Sequence, residues 1–333
     1  MTVADSRQGV SRGSPSRLLE SWSRIRYDSC HWIAQKMCRL FGFRSSVQSG
    51  THRSLVEAEN ALVEQSEAHS DGWGMAYYID RDAYILKSDV AAHNCERFQL
   101  ASSRLQSNTF VVHVRRATVG NNDYLNSHPF RFGRWTFAHN GTLFDFDLYK
   151  QWLLGHIKPN RKPLILGNTD SEHFFHYLLA ALEKAGIDPS GHENMEASLV
   201  AQVVRDAVDQ LFAEVEHHDC PAPIVNFILT NGDVFIAMRA GLELYFATQK
   251  NRCGDFEKCE EPRKVCMEAV RPDNRVNHLI VSSERIGKED IWEELPQGHV
   301  VSLSKGFEMD ILEPAPHFKV SSEVAKVLAR RQA

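Results

Sequence analysis

Cys38 directly follows Met37 and opens the apolar run Leu40-Phe41-Gly42-Phe43. A cysteine that begins a mature chain carries a thiol and a free α-amino group on one carbon. The amine titrates at about 7.7 to 8.0 and the thiol at about 8.5, so at neutral pH the amine can take the thiol proton without a second residue as base. Set against this is the ordinary reading of a cysteine beside phenylalanines, a buried and inert thiol. Arg115 and Arg116 close an apolar stretch. A guanidinium there is either half of a surface ion pair or a bidentate clamp for a carboxylate. Asn140-Gly141 is either a plain turn or a side-chain amide set beside a glycine N–H, the two donors that an oxyanion requires. Asp170, near the start of a helical pattern, has the plain explanation that acids favour helix N-termini.

Several elements must position these groups. Residues 109–114 are β-branched and apolar, which predicts a buried strand delivering His113-Val114-Arg115-Arg116-Ala117-Thr118-Val119-Gly120 at its end. A loop with Asn126-Ser127-His128-Pro129-Phe130 leads to a strand over residues 135–138 and then to His139-Asn140-Gly141. Asp71-Gly72-Trp73-Gly74 is a glycine-rich bend ahead of a hairpin with arms at residues 75–79 and 83–86. Ser54-Leu55-Val56-Glu57 has the form of a capping box that opens a helix through about Gln65. Thr169 to Glu172 forms another, opening a helix that buries Phe174, Phe175, Leu178, Leu179 and Leu182 and stops at Gly186. A second helix is predicted over residues 195–215. Strands follow at 224–229, 234–238, 242–247, 278–282 and 299–303, the first two joined by an Asn231-Gly232 turn. A peripheral helix is predicted after Pro314.

The chain has 333 residues, 43% hydrophobic and 24% charged, enough for a substantial core. A net charge of -5 provides no basic footprint, so nucleic acid is not expected as a partner. No apolar run approaches the roughly 20 residues that span a bilayer, and the N-terminus lacks the apolar centre of a secretory signal. No membrane association and a cytoplasmic location are therefore expected. Seven cysteines, an odd number, do not suggest a disulfide framework. Cys253, Cys259 and Cys266 lack the count and spacing of a zinc site, so neither metal nor cofactor is expected. Residues 1–37 are rich in serine and arginine and are predicted to be a disordered extension. Three origins are open: a start assigned upstream of Met37, a propeptide removed before Cys38, or a genuine tail that leaves Cys38 internal.

Taken in order, Met37-Cys38-Arg39-Leu40-Phe41-Gly42, Asp71-Gly72-Trp73-Gly74, His113-x-Arg115-x-Ala117-Thr118-x-Gly120, His139-Asn140-Gly141 and Thr169-Asp170-Ser171-Glu172 resemble the class II glutamine amidotransferases, an N-terminal nucleophile family. The resemblance implies an α+β fold, a four-layer αββα sandwich of two stacked, mainly antiparallel sheets. It divides the chain into an extension at 1–37, a type 2 glutamine amidotransferase domain at 38–310 and a tail at 311–333. It further implies Cys38 as nucleophile, Asn140 and the Gly141 N–H as oxyanion donors, Arg115 and Thr118 at the substrate α-carboxylate, and Asp170 at its α-ammonium. Arg116 departs from the tryptophan of many synthase-linked members, and Val119 from the histidine of some. No sugar-isomerase, phosphoribosyltransferase or synthetase domain follows. The favoured expectation is therefore hydrolysis of a γ-glutamyl amide, either glutamine itself or a γ-glutamyl peptide or conjugate. The alternatives are a subunit that supplies ammonia to a separate synthase, and a non-catalytic glutamyl sensor if Cys38 stays internal. A homo-oligomer is also compatible with the sequence.

Overall fold

The computed structural model describes residues 38–69, 71–116, 124–218, 220–251, 273–316 and 318. The expectations for residues 1–37, Thr118, Val119, the three cysteines between 253 and 266 and the chain beyond 318 lie outside the described residues.

Alternating and continuous apolar runs build two sheets. The first holds seven strands in the order β11-β9-β10-β1-β4-β2-β3. They are β1 (Arg39–Gly50), β2 (Trp73–Ile79), β3 (Asp82–Ser88), β4 (Gln106–Val114), β9 (Tyr245–Ala247), β10 (His278–Ser282) and β11 (Glu293–Glu294). The second holds six in the order β13-β12-β8-β7-β6-β5. They are β5 (Phe130–Phe132), β6 (Trp135–Thr142), β7 (Ile224–Thr230), β8 (Phe235–Met238), β12 (Val300–Leu303) and β13 (Met309–Leu312). All of the strand pairs are antiparallel.

Side-chain alternation then sets the layers. Leu40, Ala76 and Val111 of the first sheet meet Ala138, Ile228, Ala237 and Val301 of the second in a dry middle layer. Phe137, Phe227 and Leu229 turn to the opposite side of the second sheet and pack under the helices α4 (Asp170–Lys184) and α5 (Ala197–His217), against Phe174, Phe175, Val200 and Leu211. Phe41, Phe110 and Val112 turn outward from the first sheet under Leu55, Leu62 and Phe98, carried by a turn at Arg53–Glu57 and by α1 (Leu62–Gln65) and α2 (Glu96–Arg104). The four-layer αββα sandwich is thus present, thick on one outer side and thin on the other.

Three local expectations are corrected. The helix from Ser54 through Gln65 is instead a π-turn at Arg53–Glu57 and the separate α1, with no side-chain cap on either. Asn60 sits between them at φ 58°, which stops helical propagation, and its amide donates to the Arg285 carbonyl at 2.9 Å. At α4 only half of the capping box forms: Thr169 Oγ1 accepts from the Glu172 N–H at 3.3 Å, while the Glu172 carboxylate turns back to the N–H groups of Leu166 and Gly167. The strand expected over residues 135–138 runs on through Thr142 as β6 and takes the Asn140-Gly141 pair into the sheet, so of the two readings left open for that pair the plain turn is excluded. Two helices had no counterpart in the sequence reading, α2 and α3 (Lys150–His156).

Candidate active site

Cys38 immediately precedes β1, which runs between β10 and β4. The strand's start is clamped: the Leu40 N–H donates to Ser283 Oγ at 3.1 Å, the Ser283 N–H donates to the Leu40 carbonyl at 2.9 Å, and Arg39 pairs with Glu284 at 3.2 Å. Cys38 Sγ accepts the Arg116 N–H at 3.1 Å and lies 3.2 Å from the Arg116 carbonyl. Burial pushes the thiol above its ordinary pKa, while the Arg116 N–H and the charges of Arg115 and Arg39 pull it back. A thiol held protonated in this way needs a base before it can attack.

Arg115 is buried at the end of β4. Its N–H donates to the Gly72 carbonyl at 2.9 Å and its carbonyl accepts from the Asp71 N–H at 3.3 Å, so the glycine-rich bend fixes its position. One row of the first sheet runs Leu40, His113, Gly74, Lys87. A Cβ on Gly74 would stand 1.9 Å from the His128 carbonyl oxygen, and only glycine lets the His128-Pro129 segment cross the row there. The His128 ring in turn packs against that of His113, centroids 4.3 Å apart and the planes tilted by 40°. Neither ring makes a well-formed hydrogen bond among the described residues. Burial, aided by Arg115, pushes His113 down to about 3, and burial with His113 beside it holds His128 well below the usual histidine range. Burial also pushes Lys87 down to about 8, with Glu172 opposing the shift and Arg115 adding to it.

Across the middle layer, β6 carries the amide and the glycine. The Val225 N–H donates to the Ala240 carbonyl at 2.7 Å, on the β8 side of β7. Antiparallel pairing alternates, so Gly141, opposite Val225, turns its N–H and carbonyl away from β7. On that other side β5 pairs only as far as Phe137, and among the described residues no strand pairs with the edge beyond. The Leu143 N–H, two residues on, uses the same edge to donate to Asp170 Oδ2 at 2.7 Å, which places the first turn of α4 beside it. A Cβ on Gly141 would meet the Ile224 carbonyl at 1.9 Å and His139 Nε2 at 2.2 Å, so the position admits no side chain. Asn140 is buried and shares with Ala138 the face turned to the first sheet, where Cys38 shares the face of Leu40. Its carboxamide oxygen has no partner among the described residues.

Asp170 Oδ1 accepts from the Ser171 N–H at 2.7 Å and lies 3.1 Å from Ser171 Oγ. The same hydroxyl is 2.9 Å from His139 Nδ1, and His139 Nε2 is 3.0 Å from the Ile224 carbonyl. Burial lowers the His139 pKa, while the Asp170 charge and the Ile224 carbonyl oppose the shift.

Cys38 and Arg115 therefore lie at one end of the first sheet. Asn140, Gly141 and Asp170 converge on the facing edge of the second, with His128 between His113 and His139. Thr118 lies outside the described residues. Sequence reading assigned no role to His113, His128, His139, Ser171 or Lys87, although His113, His139 and Ser171 stood in its motifs. Among the described residues no group of three histidine, cysteine or acidic side chains is placed to hold a metal ion, and no helix is long and apolar enough to cross a membrane.

The fold that carries these residues has counterparts. A Silicibacter pomeroyi structure titled a glutamine aminotransferase class-II domain protein superposes with a TM-score of 0.57 at 17% identity, covering 84% of this chain and 99% of that one. The glutamine phosphoribosylpyrophosphate amidotransferase of B. subtilis superposes with a TM-score of 0.53 at 15% identity, and the match spans 84% of this chain and 50% of that enzyme. Both likenesses establish the fold. In sequence, the Saccharomyces cerevisiae protein called "Probable glutamine amidotransferase DUG3" is 25% identical over 302 residues, 81% of this chain and 82% of its own. The family described as glutamine amidotransferases class-II matches residues 37–327, a span that takes in Cys38, the β6 edge and the first turn of α4, and the chain belongs to that family of enzymes.

Proposed function

We propose that the protein hydrolyses a γ-glutamyl amide, glutamine or a γ-glutamyl peptide or conjugate, through a thioester on Cys38 in a mature form that begins at that residue. The observation that carries this reading is the edge of β6 beyond Phe137. There the Gly141 N–H points away from β7, on the side where Asp170 accepts from the Leu143 N–H, while Asn140, whose carboxamide oxygen has no partner among the described residues, lies on the face turned to the sheet that carries Cys38. The family match beginning at Met37 supports Cys38 as the first mature residue.

In this mechanism Arg115 holds the substrate α-carboxylate, Asp170 holds its α-ammonium, and Thr118 assists at the carboxylate. The Cys38 amine takes the thiol proton, and sulfur bonds to the γ-carbonyl carbon. Negative charge moves to the carbonyl oxygen, where the Asn140 amide and the Gly141 N–H meet it. The C–N bond then breaks, and ammonia or an amine leaves with the proton from the α-amine. Water attacks the thioester, releasing glutamate and restoring the thiol. A thiol of ordinary pKa is mostly protonated at neutral pH, so the free amine on the same carbon is the base that starts the cycle.

The test is to purify the protein from its natural host, sequence its N-terminus and measure glutamate release from glutamine and γ-glutamyl peptides. A chain starting at Cys38 whose activity disappears in Cys38→Ala is the expected result. Retained hydrolysis in Cys38→Ala would remove the nucleophile assignment.

A further inference from the structure

The Ser171 hydroxyl has two acceptors and one proton. It lies 2.9 Å from His139 Nδ1 and 3.1 Å from Asp170 Oδ1. The far side of the imidazole is fixed, because the Ile224 carbonyl at 3.0 Å can only accept, so Nε2 carries a hydrogen. When His139 is neutral, Nδ1 is a lone pair and takes the hydroxyl proton. Asp170 Oδ1 then keeps one donor, the Ser171 N–H at 2.7 Å, and Oδ2 keeps the Leu143 N–H at 2.7 Å. When His139 gains a proton, Nδ1–H donates to Ser171 Oγ, and the hydroxyl hydrogen turns to Asp170 Oδ1. The carboxylate then accepts a third hydrogen bond and faces a new positive charge.

From this geometry we infer that His139 is a positioning residue that acts through Ser171 to set how much of the Asp170 carboxylate is available to a cationic head group. The inference rests on the proposed reading of Asp170 as the ligand of the substrate α-ammonium. Both consequences of protonation, the lost acceptor capacity and the added positive charge, weaken ammonium binding, so affinity falls on acidification. The titratable groups facing His139 are Asp170 from α4, His128 from the segment ahead of β5 and His113 from β4. Asp170 favours the charged imidazole and burial opposes it. The net shift is downward from 6.5, which leaves the ring neutral at pH 7 and the switch on the acid side of neutrality.

The test uses L-glutamate, which carries both head-group charges and is not turned over, with glutarate as the probe that lacks the ammonium. Binding is followed by calorimetry from about pH 8 to about pH 5, in the protein as its own host processes it. L-glutamate is expected to lose about tenfold in affinity relative to glutarate over that range, the size of one charge-assisted hydrogen bond. His139→Asn presents an acceptor that cannot be protonated, and Ser171→Ala removes the shared hydroxyl. Each should reduce the loss to about twofold. A measurement on the unmodified protein checks the same coupling. By reciprocity L-glutamate, and not glutarate, should lower the pH at which His139 titrates in NMR spectra by about one unit. An undiminished acid loss in both variants, or a His139 titration indifferent to L-glutamate, overturns the inference. If L-glutamate binds no tighter than glutarate at about pH 8, the assignment of Asp170 to the ammonium fails instead, and the inference with it.

Discussion

The Gly141 N–H points away from β7 to an edge of β6 with which no described strand pairs, and the neighbouring Asn140 side chain is held in a buried strand with its oxygen unpartnered among the described residues. Donors fixed before the reaction stabilise charge that develops during it, since they need no reorganisation at the moment of attack. Asn140→Ala should therefore lower kcat about a hundredfold or more while KM changes little. Steady-state kinetics with glutamine checks this, and a change confined to KM would assign Asn140 to ground-state binding. The pairing of an amide with a glycine N–H was legible in the sequence. That the pair sits in a strand was not, because Asn-Gly is a turn signal unless a partner strand claims it, and β7 arrives more than 80 residues later. The contact between His139 and Ser171, on which their proposed roles rest, was hidden for the same reason. A motif names neighbours along the chain, whereas the Nδ1 contact is made between residues 32 apart.

At the scale of elements, the site depends on how closely the segment before β5 can approach β2. His128-Pro129 lies against Gly74, and this contact places the His128 ring on His113 in the row that ends near Arg115. Gly74→Ala puts a methyl group 1.9 Å from the His128 carbonyl, backbone that cannot step aside without moving β5. The substitution should cost roughly 2 kcal/mol or more and reduce activity, although residue 74 carries no chemistry. Urea unfolding monitored beside kinetics tests it; a variant of full stability would mean that the segment has room to shift. The bend itself was visible as Asp71-Gly72-Trp73-Gly74, and the strands were visible as β-branched runs. The short helices α2 and α3 were not, since each draws its stability from packing Phe98 or Leu153 into a layer built by distant residues.

For the whole molecule, the sandwich buries histidines in several of its layers and keeps them uncharged. Burial pushes His113 and His278 down to about 3 and His176 to about 4, and holds His128 well below 6.5. In the unfolded chain each would titrate near about 6.5. Between the two values the unfolded state takes up protons that the native state refuses, so stability is fully present above about pH 6.5 and is lost as pH falls toward the native values. Each such histidine removes up to about 1.4 kcal/mol per pH unit in that window. His278 isolates the effect, because it lies on β10, pairs in register with Ser45 in the middle of β1, seven residues on from Cys38, and has no hydrogen-bond partner for either ring nitrogen among the described residues. His278→Leu should therefore shrink the stability difference between about pH 7 and about pH 5 by roughly 1–2 kcal/mol in urea titrations and leave the pH dependence of glutamate binding as it was. An unchanged difference would mean that His278 is charged in the native protein, which would require an acceptor that none of the described residues provides.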